Sequence, residues 1–142
     1  MKDDQAAPLP AVPFLRFDDA GKASLSGSRC RKCNAIIPGQ KNACACCGER
    51  DMETIQLAER GKLYTYTIVH RSFPGVKTPF VAVVVDLDGG GTLPGTLVDV
   101  TADISAISYD MPVEVVYRDS GQRDATGRPF ISYYFIPAKG EL

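Results

Sequence analysis

Residues 30–51 read CRKCNAIIPGQKNACACCGERD and hold all five cysteines of the 142-residue chain. Cys30/Cys33 and Cys44/Cys47 form two C-x-x-C pairs with ten residues between them, and Cys46 stands outside that register. Four thiolates on a tetrahedral zinc lie about 2.3 Å from the metal, which sets their sulfurs a little under about 4 Å apart. A C-x-x-C turn delivers that separation if the chain reverses just after its second cysteine. Such reversals ask for positive φ, which Gly tolerates best and Asn next. Gly48 follows Cys47 and Asn34 follows Cys33, so both knuckles carry turn chemistry as well as ligands. The reading is one zinc per chain on Cys30, Cys33, Cys44 and Cys47, with Cys46 a free thiol. A catalytic zinc keeps one position open for water or substrate. Four in-register cysteines close the shell, so this metal is expected to be structural and to supply folding energy to a segment too small to fold alone. Arg29, Arg31, Lys32, Lys41 and Arg50 surround the ligands. They are expected to offset the negative tetrathiolate site; a phosphate-binding patch is the sharper alternative.

Paired C-x-x-C spacing points to metal rather than disulfides where thiols stay reduced. The N-terminus, MKDDQAAPLPAVP, lacks the apolar run of a secretory signal. No segment approaches the roughly 18 consecutive apolar residues of a membrane span. A cytoplasmic chain with no membrane partner is therefore expected. Sixteen basic residues stand against seventeen acidic ones, without the basic excess that phosphate-contacting domains usually show. Nucleic acid is an unfavoured partner on that ground.

Working outward, the fold class is mostly β: an N-terminal segment and zinc ribbon, then a five-stranded OB-type barrel. The expected bounds are 1–28 for an N-terminal extension, 29–50 for the ribbon and 58–138 for the barrel. In the extension, Phe14, Leu15 and Phe17 are expected to open a short helix that packs back on its own domain or docks on a partner. LYTYTIVH (63–70) is β-branched and aromatic, and FVAVVVDLD (80–88) is a continuous apolar run. The glycines at 89–91 mark a hairpin turn. TLPGTLVDV (92–100) is a third strand, with Pro94 and Gly95 placing a bulge or an edge there. Residues 103–112 connect it to VEVVYRD (113–119), and PFISYYFIPA (129–138) closes the set. Five strands with a connector between the third and fourth predict a small closed barrel.

No catalytic constellation emerges. His70 is the sole histidine, at a strand end with no marked nucleophile to serve, and no nucleotide or hydrolase fingerprint is present. Asp86 and Asp88 read as the start of a turn. No catalytic residue is assigned, which favours a binding or accessory role without activity of its own. Tyr64 and Tyr66 are expected on one face of the first strand, and Tyr133, Tyr134 and Phe135 lie in the last. OB barrels can use such aromatics to stack bases. The loop RSFPGVKTP (71–79) combines Arg71, Phe73 and Lys77 beside a Gly/Pro-shaped turn, a mixture suited to an anionic nucleotide-like ligand.

Phe14-Leu15, CRKC…CACCGE, GKLYTYTIVH, FVAVVVDLDGG, MPVEVVY and the closing FIP occur in one order over nearly the whole chain from residue 14. This ordered set resembles the acyl-CoA-associated domain-of-unknown-function-thirty-five family, a rubredoxin-like zinc ribbon followed by an OB fold. Members look like non-catalytic partners of thiolase-fold enzymes, or of MaoC-type hydratases and related proteins. The resemblance implies a hetero-oligomer in which the barrel sits over the partner's CoA channel and the ribbon adds to the subunit contact. A coenzyme A thioester would then be a ligand shared with the partner, with Arg71, Phe73 and Lys77 as its contacts on this chain. Two departures stand out. Many members carry Phe-Trp where this chain has Phe14-Leu15, and a proline-arginine element where it has Pro38-Gly39-Gln40-Lys41.

Overall fold

A computed structural model describes residues 8–138. The five predicted barrel strands are β6 (Arg60–Val69), β7 (Phe80–Leu87), β8 (Thr92–Leu97), β9 (Pro112–Arg123) and β10 (Pro129–Pro137). They close in the order β6-β7-β8-β10-β9 and back to β6. Every contact in this ring is antiparallel except β8–β10, which is parallel. Closure removes the open edges that a five-stranded sheet would otherwise expose. The apolar run of β7 is resolved by strand alternation: Val81, Val83, Val85 and Leu87 are buried, while Ala82 and Val84 are half-buried outside. No helix among the described residues is long and apolar enough to cross a membrane.

Pro94 and Gly95 mark the seam of the barrel and not a bulge. β8 runs in unbroken register with β7, Pro94 opposite Val84 and Gly95 opposite Val83. On its other side it meets β10 at one register pair, Leu97 with Phe135. A strand laddered mainly on one side accommodates proline. Gly95 leaves room for aromatic rings: a Cβ there would lie 2.6 Å from Phe135 Cε2 and 3.1 Å from Tyr133 Cε2. Phe14, Tyr133 and Phe135 fill the seam in series, with centroids 5.7 and 5.9 Å apart. The Tyr133 hydroxyl donates to the Pro94 carbonyl, so the rings are tied to the strand they replace as a neighbour.

The cysteines belong to a second, smaller sheet. β3 (Ala23–Cys30) is its spine and pairs antiparallel with β2 (Leu15–Phe17), β4 (Ile36–Pro38) and β5 (Met52–Gln56). The sheet thus runs from Leu15 to Gln56, wider than 29–50. Ahead of it, β1 (Leu9–Pro10) lies parallel to β10.

The short helix expected at Phe14–Phe17 is absent; Leu15–Phe17 is a strand. Three apolar residues are too few to nucleate a helix, whereas β3 offers a ready partner, with Leu15 opposite Leu25. Asp18 then closes the turn, its side chain accepting from the Ala20 and Lys22 N–H groups at 3.0 and 2.8 Å. Leu15, Leu25 and Leu57 join the barrel residues Leu63, Val85, Leu93, Val113 and Phe135 in one buried cluster. Each such side chain contributes about 1.5–3 kcal/mol on burial. Small sheet and barrel are therefore packed as one body around one core. The connector before β9 contains a single 3-10 turn, Ile104–Ala106, whose first residues are capped by the Asp103 carboxylate.

Candidate metal centre and neighbouring groove

The two knuckles are built alike. Asn34 and Gly48 take φ of 67° and 81°, and their N–H groups donate to the carbonyls of Cys30 and Cys44 at 2.8 and 2.9 Å. Cys30 N–H donates to Ala35 O, and Cys44 N–H to Glu49 O, at 2.9 and 2.7 Å. Inside each knuckle, backbone N–H groups point at the first sulfur. Lys32 and Cys33 donate to Cys30 Sγ at 3.4 and 3.5 Å, and Cys46 and Cys47 to Cys44 Sγ at 3.3 and 3.5 Å.

The four sulfurs of Cys30, Cys33, Cys44 and Cys47 lie within 4.8 Å of one another. Cys30–Cys47 and Cys33–Cys44 are each 3.6 Å apart. The two 3.6 Å separations, with an all-thiol donor set, match what tetrahedral thiolates require. The cluster fits a zinc ribbon and can hold a metal.

Its electrostatics carry the same message. Cys44 is drawn down to about 7, first by the Cys47 N–H. Cys30 is lowered first by the Cys33 N–H. Their partners go the other way. The Ala35 N–H pulls Cys33 down, yet the Cys44 sulfur and burial push it up overall to about 12. Cys47 is pulled down by the Glu49 N–H and raised overall by burial and the Cys30 sulfur. Thiolates crowded together oppose further ionisation, and a cation among them would remove that opposition. Cys46 is exposed and outside the cluster.

Two of the flanking cations have carboxylate partners of their own. Arg29 pairs with Glu53, its Nε donating to Oε2 at 2.6 Å, and Arg31 pairs with Asp51 at 2.7 Å. Two of the five cations thus tie β3 and the first knuckle to the start of β5.

The loop at 71–79 turns at Phe73–Val76 and leaves Phe73 81% exposed. A groove of about 580 Å³ opens beside it, lined by Lys77, Phe80, Val98, Asp99 and Tyr134 among others. Lys77 reaches this groove; Arg71 and Phe73 are not among its lining. Asp99, at φ 61°, is held by Arg118 through two hydrogen bonds of 2.9 and 2.7 Å. Asp99 carries no signal in the sequence, whereas Tyr134 was named there among the aromatics of the last strand, and alternation along β10 puts it outside once Tyr133 and Phe135 are inside. His70 is exposed at the end of β6.

The tyrosines of β6 do not share a face. A register shift between Leu63 and Thr65 makes Tyr64 the extra residue, 62% exposed. Tyr66 turns to the core side and meets Tyr109 at 5.4 Å.

Residues 54–118 match the family model described as the ChsH2 C-terminal OB-fold domain. A DUF35 domain-containing scaffold protein of Methanocaldococcus jannaschii is 30% identical, over 80% of this chain and 81% of its own. Benzoylsuccinyl-CoA thiolase subunit BbsA of Geobacter metallireducens is 32% identical over 55% of this chain and 57% of its own. Among solved structures, a chain of the Ltp2-ChsH2(DUF35) aldolase superposes with a TM-score of 0.61 at 26% identity, covering 80% of this chain and 84% of that one. The likeness extends across both the small sheet and the barrel, and on that evidence the chain belongs to the DUF35 family.

Proposed function

We propose that this chain is the non-catalytic accessory subunit of a thiolase-fold acyl-CoA enzyme, assisting complex assembly and the binding of a CoA thioester. The observation that carries the reading is the cysteine sheet packed on an OB barrel in one core, an arrangement whose relatives include a thiolase subunit. One structural zinc per chain, on Cys30, Cys33, Cys44 and Cys47, would cross-link the two knuckles. The subunit works in the cytoplasm, where those thiols stay reduced. The benzoylsuccinyl-CoA thiolase of anaerobic toluene degradation is the specific candidate for the assembly.

The chemistry belongs to the partner in this reading. Lys77 offers a cation at the mouth of an apolar groove, Arg71 a second cation nearby in sequence, and Phe73 an exposed ring. Together they suit the phosphates and adenine of coenzyme A. Holding that ligand in place and excluding water from the channel are contributions a subunit can make without touching the reacting atoms.

Affinity purification from the native host, followed by mass spectrometry, is expected to recover a thiolase-fold subunit in stoichiometric amount. Recovery of a lone monomer overturns the reading. A MaoC-type hydratase or another CoA enzyme as partner is the second reading, favoured by the aldolase assembly of the solved relative. The identity of the recovered subunit separates the two. A single-strand nucleic-acid role draws less support, because Tyr133 and Phe135 are buried in the core; weak binding that is flat with salt removes it.

A further inference from the structure

Ile36 stands three residues after Cys33 and opens the three-residue strand β4. Its neighbour Ala35 is tied twice to the first knuckle. The Ala35 carbonyl accepts from Cys30 N–H at 2.9 Å, and its N–H donates to the Cys33 sulfur. β4 itself is held to β3 by the pairs Arg29–Ile36, Ser28–Ile37 and Gly27–Pro38.

The Ile36 side chain faces the barrel. It lies so close to the β7–β8 turn that a Cβ on Gly90 would fall 3.0 Å from its Cδ1, and one on Gly91 3.1 Å from its Cγ2. Gly90 and Gly91 also take φ of 121° and 94°. Glycine is needed there for conformation and for the close approach. Beside this contact the junction is loose, with a gap of about 190 Å³ bordered by Ile55, Ala58, Asp88 and Gly89.

We infer that Ile36 is the strut through which metal occupancy of the cysteine cluster sets the order of the β7–β8 turn. The inference rests on the zinc reading of the four thiols. With the metal bound, the first knuckle fixes Ala35, Ala35 fixes the start of β4, and Ile36 is held against the glycines. Without it the knuckles lose their common anchor, and three register pairs are left to hold β4. The turn has few ties of its own: Leu87 N–H to Gly91 O at 2.9 Å, Gly90 N–H to Leu87 O at 3.1 Å, and Asp88 N–H to Arg60 O at 2.9 Å. A run of three glycines keeps wide backbone freedom, so losing one packed side chain raises its opening. The β9–β10 ladder, from Val113–Pro137 to Asp119–Ile131, does not depend on that contact.

Amide hydrogen exchange on the full chain, zinc-loaded and after chelation, tests this. Metal content is measured first: a chain that takes up no zinc defeats the zinc reading itself. With one zinc per chain established, chelation is expected to speed exchange of the Leu87, Asp88 and Gly90 amides about tenfold or more, with β9–β10 amides changing less than about twofold. Zinc-loaded Ile36→Ala is expected to show the same fast turn with its metal content unchanged, and chelation to add nothing further. Ile36→Val is expected to restore most of the protection. Turn exchange that ignores chelation of the loaded chain overturns the inference. Loss of protection throughout the barrel at once also overturns it, since the metal would then be a global staple. A turn that loosens on chelation but stays slow in Ile36→Ala removes Ile36 from the path.

Discussion

Cys44 and Cys46 stand two residues apart and differ in role. Cys44 is buried and accepts two backbone N–H groups, one of them from Cys46 itself. Cys46 gives the knuckle its backbone while its thiol faces solvent. Cys46→Ser keeps that N–H and is expected to leave zinc content and thermal midpoint unchanged. Cys44→Ser replaces the thiolate donor by a shorter, un-ionised hydroxyl, and is expected to release the metal and lower the midpoint by about 5 °C or more. Metal analysis and a thermal scan of both variants read the outcome; zinc lost from Cys46→Ser would mean the ligand register is wrong. The clustering of Cys30, Cys33, Cys44 and Cys47 was legible in the sequence because everything that makes it is local: spacing, Asn34 and Gly48. The partners of Arg29 and Arg31 were not, because Glu53 and Asp51 arrive from across the sheet.

Among the elements, β8 makes a sharp demand on a single position. Its neighbour on the open side is a column of rings and not a full strand, and Gly95 is the point where the rings come closest. Gly95→Ala forces a methyl against Phe135 and Tyr133, whose edges cannot retreat from a packed seam. Overpacking of this kind costs about 1–3 kcal/mol. The denaturation midpoint is expected to fall accordingly with the m-value unchanged, and zinc content to stay the same because the cysteine sheet is untouched. A variant as stable as the parent would show that the seam is softer than its geometry implies. The strands themselves were readable from alternation and turn residues. The bulge at Tyr64 was not: one extra residue reverses the faces of β6 beyond it, and nothing in LYTYTIVH distinguishes a bulged strand from a regular one. The N-terminal strand was missed for a related reason, since Leu15–Phe17 is a strand only because β3 lies beside it.

For the molecule as a whole, the sharing of one core between cysteine sheet and barrel bears on the proposed subunit role. One packed body with a groove beside the 71–79 loop is suited to closing a channel in a partner, and in the proposed assembly Arg71, Phe73 and Lys77 would meet the ligand there. Lys77 already lines the groove; Arg71 and Phe73 extend from the same loop. Their removal therefore tests ligand binding separately from assembly. In the reconstituted complex, replacing Arg71 and Lys77 together by Ala is expected to raise KM for the CoA thioester about tenfold or more, the loss of one or two charge-assisted contacts. The subunits should still co-elute and kcat should change little. His70→Ala serves as the control, because the exposed imidazole at the end of β6 has no proton-transfer role in this reading. Steady-state kinetics on both variants, with zinc content and assembly verified, decide the matter. An unchanged KM in the double variant would move the ligand contact elsewhere on the barrel. A kcat loss of roughly 10²-fold in His70→Ala, the size expected for a lost general acid or base, would place this chain inside a shared active site.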